Sequence, residues 1–460
     1  MSALREVSAT VGAFTIIQCQ NLNSSTLKCT NLVSDNVTSN TIECTSLTST
    51  GNISGDTLDI DTKITTTQFQ LIPPVPSNGY TLTSDVAGNA TWTAPVAKYP
   101  SYKQTAPKIS FVGPPASAVV SSNGSMIVAA YPANVTDVQF QTFLYVAGVW
   151  VLDSTVTTPF TNNQGITMGL SDQNDLLAIT SIVVNQVAVY RRTAGAWAQV
   201  DSMFVAGVGF GSSLAINSAT QTLVVAHVLQ IDFYSIGIST ITPLGDFNLP
   251  SVDQHSLAIS SDFRLLVSGN GNTPNTIGQV YVYTRAVSDP LAVWSLTQTL
   301  VPYSVSAADV YMGVSVSLSS DGTTLAVGCP GDALNAGPVN TTGAVLMYTY
   351  VAGVGFVQGQ KIVPVDYYVS SSEVYFGNSV KLNFAGDILV IGGPYDQSYL
   401  GSTWVYVRNE RGLWIPNANK LRGSDLGLTP NQGTVVALAR DNASVVVATA
   451  VSENAIVIFQ

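Results

Sequence analysis

The stretch SLSSDGTTLAVGCP, Ser317–Pro330, decides the fold because altered copies of it recur along the chain. It combines Leu318 with a turn of Ser, Asp and Gly and then a run of apolar residues. With Leu318 as the anchor of its copy, the anchors of the other six copies are Val120, Leu170, Ile216, Ile259, Leu382 and Leu438. Successive anchors lie from 43 residues (216 to 259) to 64 residues (318 to 382) apart. Seven units of one design at such a period indicate a repeat fold.

Each unit is predicted to contain four β-strands. The anchor and the apolar run form a hairpin, because turn residues such as Asn-Gly and Asp-Gly tolerate a positive φ or bond their own backbone. A third strand follows, as in QVAVYRR, QVYVYTR, AVLMYTY and TWVYVRN. An aromatic residue then opens the fourth strand in five units, at Trp150, Trp197, Trp294, Phe356 and Trp414. Four-stranded units of this length are propeller blades, so we predict an all-β chain whose main part is a seven-bladed β-propeller.

The seventh unit has only three strands before the sequence reaches Gln460. The segment PKISFVG, Pro107–Gly113, precedes the first unit and is our candidate for the missing fourth strand. Such pairing would join the two ends of the propeller in one blade and protect the edges of its sheet.

Two units resemble the FG-GAP repeats of integrin-α-type seven-bladed propellers. They begin MGVSVSLSSDGTTLAVGCPGD, Met312–Asp332, and FGNSVKLNFAGDILVIGGPYD, Phe376–Asp396; both have the Gly-x-Pro of that family, and the second has its Phe-Gly where the first has Met-Gly. The resemblance implies a propeller, and repeats of this family often carry a calcium loop of the Asp-x-Asp-x-Asp-Gly kind. This chain has PGDALNAGPVNTTG at that place, with Asp332 as the one carboxylate, whereas calcium needs several. We therefore predict no metal site, and no cofactor.

Composition limits the classes of function. Charged residues make up 10% of the 460 residues and the formal net charge is −11, which argues against nucleic acid as a partner because nucleic acid attracts a basic face. The sequence lacks a run of 18 apolar residues, so we expect no membrane insertion. The first residues, MSALREVSATVGAF, lack the basic start and long apolar core of a signal peptide.

The first hundred residues follow a different pattern. An apolar residue recurs at every fifth position, at Ile17, Leu22, Leu27, Leu32, Val37, Ile42 and Leu47. A helix repeats at 3.6 residues and a strand at 2, so a period of five indicates a coiled path of strands and corners. Two interpretations stay open: a β-shaft in which three chains intertwine around this apolar column, or a single-chain pentapeptide coil. We expect the homotrimer, since so short a coil of one chain buries too little core.

A proline-rich neck, LIPPVPSNG, separates this shaft from the propeller. STGNISGDTLDIDTKIT, residues 49–65, resembles the repeats of phage and large-virus fibre shafts. GYTLTSDVAGNATW, residues 79–92, resembles a short module placed between shaft and head in such fibres. We therefore predict four parts: an attachment segment at 1–16, the pentad shaft at 17–72, the neck at 73–105 and the propeller head at 106–460.

Three cysteines share one face of the predicted shaft. Cys19, Cys29 and Cys44 are separated by 10 and 15 residues, both multiples of five. Disulfides between chains around a trimer axis are one interpretation, and small buried residues that alternate with serine are the other. Cys329 is expected to be a buried thiol at a strand end. His227 and His255 lack the spacing of zinc ligands.

Sequence signals for catalysis are weak. The turn SSDGTT has neither the spacing nor the Trp of sialidase turns, and a Gly-x-Ser-x-Gly motif and a P-loop are missing. Acids of the propeller such as Asp175, Asp262 and Asp321 sit in hairpin turns, where capping the turn accounts for them. We predict that the protein is not an enzyme. A propeller glycosidase is the alternative of that class, and it would turn over a sugar reporter.

Two tyrosine-rich loops that vary between blades are candidates for recognition. Their candidate receptor-binding residues are Tyr367, Tyr368, Tyr395, Asp396 and Tyr399. The whole sequence predicts a virion fibre or spike protein on the virion surface. Its N-terminus would bind a capsid vertex or base protein, and its head a host surface protein or glycan. The alternative is a secreted or cell-surface propeller adhesin, which predicts a monomer.

Overall fold

The structure is a computed structural model of the chain, which divides into two compact units, residues 1–98 and 99–460. In the first 100 residues the structure describes six strands. From residue 101 onward it describes all residues except 135–136, 161–164, 206–208, 251–255, 272–276, 288–290, 303–309, 333–340, 365, 367–372 and 442. A helix with the length and apolar character needed to span a membrane is absent from the part of the chain so described.

The N-terminal unit is made of strands. They are β1 (Leu4–Ala9), β2 (Gly12–Ser49), β3 (Ile53–Ser54), β4 (Thr57–Thr66), β5 (Thr81–Ser84) and β6 (Ala90–Thr93). β1, β3 and β4 pair in parallel with β2, and β5 with β6 in an antiparallel hairpin. Leu4 lies opposite Cys19, fifteen residues on, which equals three of the predicted pentads.

The predicted trimer column and thiols all fall within β2. They are Ile17, Leu22, Leu27, Leu32, Val37, Ile42 and Leu47, with Cys19, Cys29 and Cys44. Their side chains lie outside the described part of the chain, and the winding of three chains together stays a prediction.

The second unit is a propeller whose strands group into seven antiparallel sheets. A short strand, β7 (Ile109–Ser110), comes first. Blades 1 to 3 are β8 (Ser117–Val120), β9 (Met126–Pro132), β10 (Val138–Val146) and β11 (Val149–Thr157); β12 (Ile166–Leu170), β13 (Leu176–Ser181), β14 (Gln186–Thr193) and β15 (Ala196–Phe204); and β16 (Ser213–Asn217), β17 (Thr222–Ala226), β18 (Gln230–Ile236) and β19 (Ile241–Asn248).

Blades 4 to 7 continue the series. They are β20 (Ser256–Ile259), β21 (Leu265–Gly269), β22 (Val280–Thr284) and β23 (Ser295–Leu300); β24 (Val316–Leu318), β25 (Thr324–Cys329), β26 (Thr341–Val351) and β27 (Gly355–Ile362); β29 (Ser379–Leu382), β30 (Ile388–Gly393), β31 (Ser402–Arg408) and β32 (Trp414–Pro416); and β33 (Gln432–Leu438), β34 (Val446–Ala450) and β35 (Ala455–Phe459). β28 (Glu373–Phe376) pairs in parallel with β26. The helical turns are α1 (Asp396–Tyr399) and a 3₁₀ turn, Val451–Glu453. The predicted all-β, seven-bladed propeller is confirmed.

The last blade is completed by the strand that precedes the first. β7 pairs antiparallel with β35, with Ile109 opposite Ile456. The backbones of Lys103 and Gln460 exchange two further hydrogen bonds of 3.1 and 3.0 Å. Phe111 then packs against Tyr131 of blade 1, with ring centroids 5.0 Å apart. The prediction that Pro107–Gly113 supplies the missing strand is confirmed, and the two ends of the propeller are joined.

Glycine pairs explain why the Phe-Gly and Gly-x-Pro sequences recur together. A Cβ atom on Gly328 in blade 5 would lie 2.0 Å from the carbonyl oxygen of Gly377 in blade 6. Gly392 and Gly433 make the same approach between blades 6 and 7, also at 2.0 Å. Since Cβ atoms are not found so close to a carbonyl oxygen, only glycine lets the two backbones meet. The apolar cores between neighbouring blades close over these contacts, as in the cluster around Trp404.

A ring of hydrogen bonds links all seven first hairpins. We call the face formed by these hairpins the hairpin face, and the opposite face, where the chain enters each blade, the entry face. The ring runs from blade to blade as Ser122–Asp172, Asp172–Ser218, Asn217–Ser261, Ser261–Ser320, Ser320–Phe384, Phe384–Arg440 and Asp441–Ser122, at distances of 2.8 to 3.0 Å. Seven of these positions, one in each blade, stand two residues after an anchor, so the repeat pattern itself brings them to one level.

Candidate recognition site

The entry face carries four tyrosines at blades 5 and 6, which we call the tyrosine patch: Tyr311, Tyr375, Tyr395 and Tyr399. The first two lie where the chain enters blades 5 and 6, and the other two lie in the turn between the second and third strands of blade 6. The rings of Tyr375 and Tyr395 are 4.7 Å apart at the centroids, and those of Tyr395 and Tyr399 are 5.0 Å apart. Tyr399 is the most open, with 49% of its surface exposed.

The phenols of the patch influence one another. Burial, then the carboxylate of Glu373, and then the phenols of Tyr311, Tyr395 and Tyr399 raise the pKa of Tyr375. The Tyr375 hydroxyl therefore stays protonated at neutral pH, where it can both donate and accept a hydrogen bond. The patch presents stacked aromatic rings with neutral polar tips.

Two of the tyrosines occupy backbone positions that favour glycine or asparagine. Tyr311 and Tyr375 have φ of 55° and 56°, in the left-handed region. Each stands seven residues before its anchor, and the matching residues of blades 3 and 7 are Gly209 and Asn431, also with positive φ. Gly and Asn tolerate this conformation, whereas a bulky side chain there costs of order 1 kcal/mol. Tyrosine is thus retained in blades 5 and 6 at an energetic cost.

The turn that presents Tyr399 is also left-handed. Gln397, Ser398 and Tyr399 have φ of 55°, 58° and 70° in succession. Consecutive left-handed residues other than glycine persist only where surrounding contacts hold them. Asn431 donates its backbone N–H to the carbonyl of Tyr399 at 2.9 Å, which ties the turn to blade 7.

A buried ion pair fixes the base of this turn. The carboxylate of Asp396 is fully buried and accepts a hydrogen bond from Lys420 Nζ at 2.6 Å and one from the Ser402 hydroxyl at 2.7 Å. Lys420 Nζ also donates to the carbonyl oxygen of Asp366 at 2.8 Å. The Asp366 carboxylate in turn accepts from the indole N–H of Trp404 at 2.6 Å. These bonds connect both tyrosine-rich loops to the core of blade 6.

A second cation supports the turn from the other side. Arg422 donates from Nη1 to the side-chain oxygen of Gln397, and from Nε to the Ser402 hydroxyl at 3.1 Å. The turn is therefore held by side chains on both flanks, and its shape is set before any partner arrives.

The structure separates the residues that the sequence singled out together. Tyr395 and Tyr399 lie side by side in the patch. Asp396, expected to contact a receptor, is instead buried by its ion pair with Lys420, so its carboxylate does not face a partner. Tyr367 and Tyr368 lie outside the described residues. The sequence reasoning missed Tyr311, whose signal was the shared Tyr-Met-Gly and Tyr-Phe-Gly start of blades 5 and 6.

Blade 5 contains an ion pair equivalent to that of Asp396 and Lys420 in blade 6. Asp332 follows the Gly-x-Pro of blade 5 as Asp396 follows that of blade 6, and it is 1% exposed. Its carboxylate pairs with Lys361, which lies in the fourth strand of that blade. At the place where the resemblance suggested a calcium loop, a lysine ammonium thus neutralises the carboxylate. Nearby, Cys329 is buried at the end of β25, which raises the pKa of its thiol well above the usual range.

Comparison with known proteins agrees with the fold. The chain matches the β-propeller domain of Cps50 (Swd1) from Myceliophteria thermophila with a TM-score of 0.53 and 12% identity, over 78% of this chain and 99% of that one. It matches hydrazine synthase from Kuenenia stuttgartiensis with a TM-score of 0.54 and 16% identity, over 76% and 96% of the two chains. No protein-family model and no curated protein matches. The molecule is a seven-bladed β-propeller protein, and at these identities the likeness extends to the fold alone.

Proposed function

We propose that the propeller is a recognition head that binds a surface molecule through the tyrosine patch, and that it does so without catalysis. The observation that carries this proposal is the strained backbone at Tyr311 and Tyr375, where blades 3 and 7 have residues suited to that conformation. Strain of this kind collects at functional sites. The phenols of Tyr311 and Tyr399 both lie close enough to Tyr375 to raise its pKa, so the three belong to one group.

The chemistry of the patch suits a glycan or a protein loop. Tyrosine offers a large apolar ring with a hydrogen-bonding tip, and it loses little conformational entropy when it is held. The ion pair of Asp396 and Lys420 and the bond from Arg422 to Gln397 hold the turn in advance, which lowers the ordering cost of binding. A partner therefore meets a preformed aromatic surface.

A cell- and glycan-binding assay tests the proposal. Fluorescent full-length protein would be applied to a glycan array and to a panel of cells. We expect Tyr399→Ala to reduce binding about tenfold, in the range of a binding hot spot. Tyr350→Ala is the matched control, because Tyr350 is 38% exposed but lies at the hairpin face. Equal loss in both variants, or none in Tyr399→Ala, would contradict recognition by the patch.

We further propose that this head belongs to a trimeric virion fibre or spike whose N-terminal segment binds a capsid vertex or base protein. The pentads and the fibre-like stretches at 49–65 and 79–92 support this. Three heads on one shaft multiply a weak contact into avidity. Light scattering on the full chain should give about three times the 48.3 kDa of one chain. A monomer would favour the cell-surface or secreted adhesin instead.

A further inference from the structure

The seven innermost strands enclose a central channel of about 480 Å³. Side chains three positions and one position before each anchor face it, as the alternation of a strand requires. The position three before the anchor is Ser or Thr in six blades, which forms a hydroxyl-lined opening toward the entry face. A volume of this size lies within the range of small-molecule sites.

One lysine breaks the uniform lining of the channel. The position one before the anchor is small or apolar in six blades, at Val119, Gly169, Ala215, Ala258, Ser317 and Ala437. In blade 6 it is Lys381. Lys381 is half-buried, and its ammonium has neither a hydrogen bond nor an ion pair with any residue that the structure describes. Three donor N–H groups of this side chain are therefore available inside the channel.

Arg440 lies across the end of the channel at the hairpin face. From blade 7 its Nη2 donates to the carbonyl oxygen of Leu318 in blade 5 at 3.0 Å, and its Nη1 lies 3.7 Å from the carboxylate of Asp172 in blade 2. The guanidinium carbon also lies 4.4 Å from the ring centroid of Phe384. Arg440 Nε is buried and has no hydrogen-bond partner among the described residues. Water does not reach Nε, but the Arg440 side chain as a whole is 23% exposed, so another part of the charged side chain is accessible.

We propose that the central channel binds a small anion carrying a carboxylate, phosphate or sulfate group, held by the ammonium of Lys381 next to the positive charge of the Arg440 guanidinium. Anions are the ligands that complete such donors, through charge-assisted hydrogen bonds. Asp172 balances one face of Arg440 and keeps the guanidinium across the channel. The hydroxyls of the opening bind the uncharged remainder of the molecule. This site is separate from the tyrosine patch.

The electrostatics of Lys381 agree with this assignment. Burial, followed by the positive charge of Arg440, lowers the pKa of Lys381 to about 8, while the carboxylate of Asp172 acts in the opposite direction. Arg440 and Asp172 are the charged residues that line the channel with it in the described part of the chain. An anion that binds beside the ammonium offsets part of the cost of keeping Lys381 charged at this buried position.

Titration calorimetry of the full-length protein tests the site. The probes are glucuronate and sulfate, with glucose as the neutral control of similar size to glucuronate. We expect both anions to bind and glucose not to, and Lys381→Met to weaken anion binding about tenfold. Lys103→Met is the matched control, because it removes the same charge at an exposed position outside the channel. Absence of anion binding, or equal binding by wild type and Lys381→Met, would overturn the proposal.

A pH series on the wild type tests the same site without a variant. Glucuronate keeps its charge between about pH 6.5 and about pH 9.5, whereas Lys381 loses its proton near pH 8. We expect the affinity to fall severalfold across this range. An affinity that does not change would overturn the role of Lys381 even if the variant proved unstable.

Discussion

Replacing Lys420 by methionine should destabilise the tyrosine-bearing turn of blade 6 more than a substitution at the surface does. Asp396 is fully buried, and Lys420 Nζ lies 2.6 Å from its carboxylate. At this separation the attraction is about 6 kcal/mol for an effective dielectric of 20. Part of that offsets the desolvation of both groups, but the variant leaves the Asp396 charge buried without its partner. We expect a loss of about 3–5 kcal/mol in the free energy of unfolding.

Removing the charge of Asp396 should destabilise the protein less than removing the charge of Lys420, and this difference makes a double-mutant cycle informative. Asp396→Asn keeps the shape, and Lys420, with 16% of its side chain exposed, still donates to the carbonyl of Asp366. We expect a loss of about 1–3 kcal/mol for this variant. The double variant removes both charges, so it should lose less than the sum of the two, by about 2 kcal/mol. Urea unfolding followed by tryptophan fluorescence measures this, since Trp404 lies 5.8 Å from Lys420 Nζ. Strict additivity would refute the ion pair as the support of the turn.

Three further predictions concern the closure and packing of the propeller and its channel. Gly328→Ala should lower the free energy of unfolding by about 3 kcal/mol, because its Cβ would collide with the neighbouring blade, whereas Gly359→Ala, with its nearest atom at 3.6 Å, should be near neutral by the same urea assay. Phe111→Ala should cost about 2 kcal/mol by loosening the joined ends, and Val112→Ala, 78% exposed, should not change the urea midpoint. Lys381→Met should raise stability at pH 7 by about 1–3 kcal/mol, since the lowered pKa of Lys381 makes its charged form costly in the folded state. For the wild type, this cost is fully present below about pH 8 and disappears as the pH rises toward about 10.5, where the unfolded chain also loses its proton, so a pH series of urea midpoints should rise over that interval.

The sequence predicted the propeller because its evidence was local and repeated. A hairpin turn and an apolar run return seven times, six of the copies continue into a tyrosine-bearing third strand, and each copy supports the others. The closing strand was predictable as well, because the seventh unit had an edge that needed a partner. The N-terminal pentads gave an equally regular pattern, but one that does not say whether the neighbouring strand belongs to the same chain.

The side chains that support the candidate site could not be predicted from the repeat pattern of the sequence. Asp396 was expected at the surface because charged residues in loops usually are exposed. Its partner Lys420 is 24 residues away, and Asp366 lies 54 residues before Lys420, so neither spacing belongs to a strand or helix period. Backbone conformation was equally hidden, since tyrosine is not a residue that predicts a positive φ. Aligning the units on their anchors would have matched Tyr311 and Tyr375 with Gly209 and Asn431.

A repeat fold offers its own standard of comparison, and departures from that standard point to function. At the position one before the anchor, six blades have a small or apolar residue and blade 6 has Lys381; blades 3 and 7 have Gly209 and Asn431 where blades 5 and 6 have tyrosines. Each departure costs folding energy by a separate mechanism, desolvation in one case and backbone strain in the other. If stability alone decided these positions, neither the lysine nor the tyrosines would occur there, because other blades have less costly residues at the matching positions. The backbone strain at Tyr311 and Tyr375 and the desolvation of Lys381 are therefore the two departures on which we base the proposed tyrosine patch and the proposed channel site.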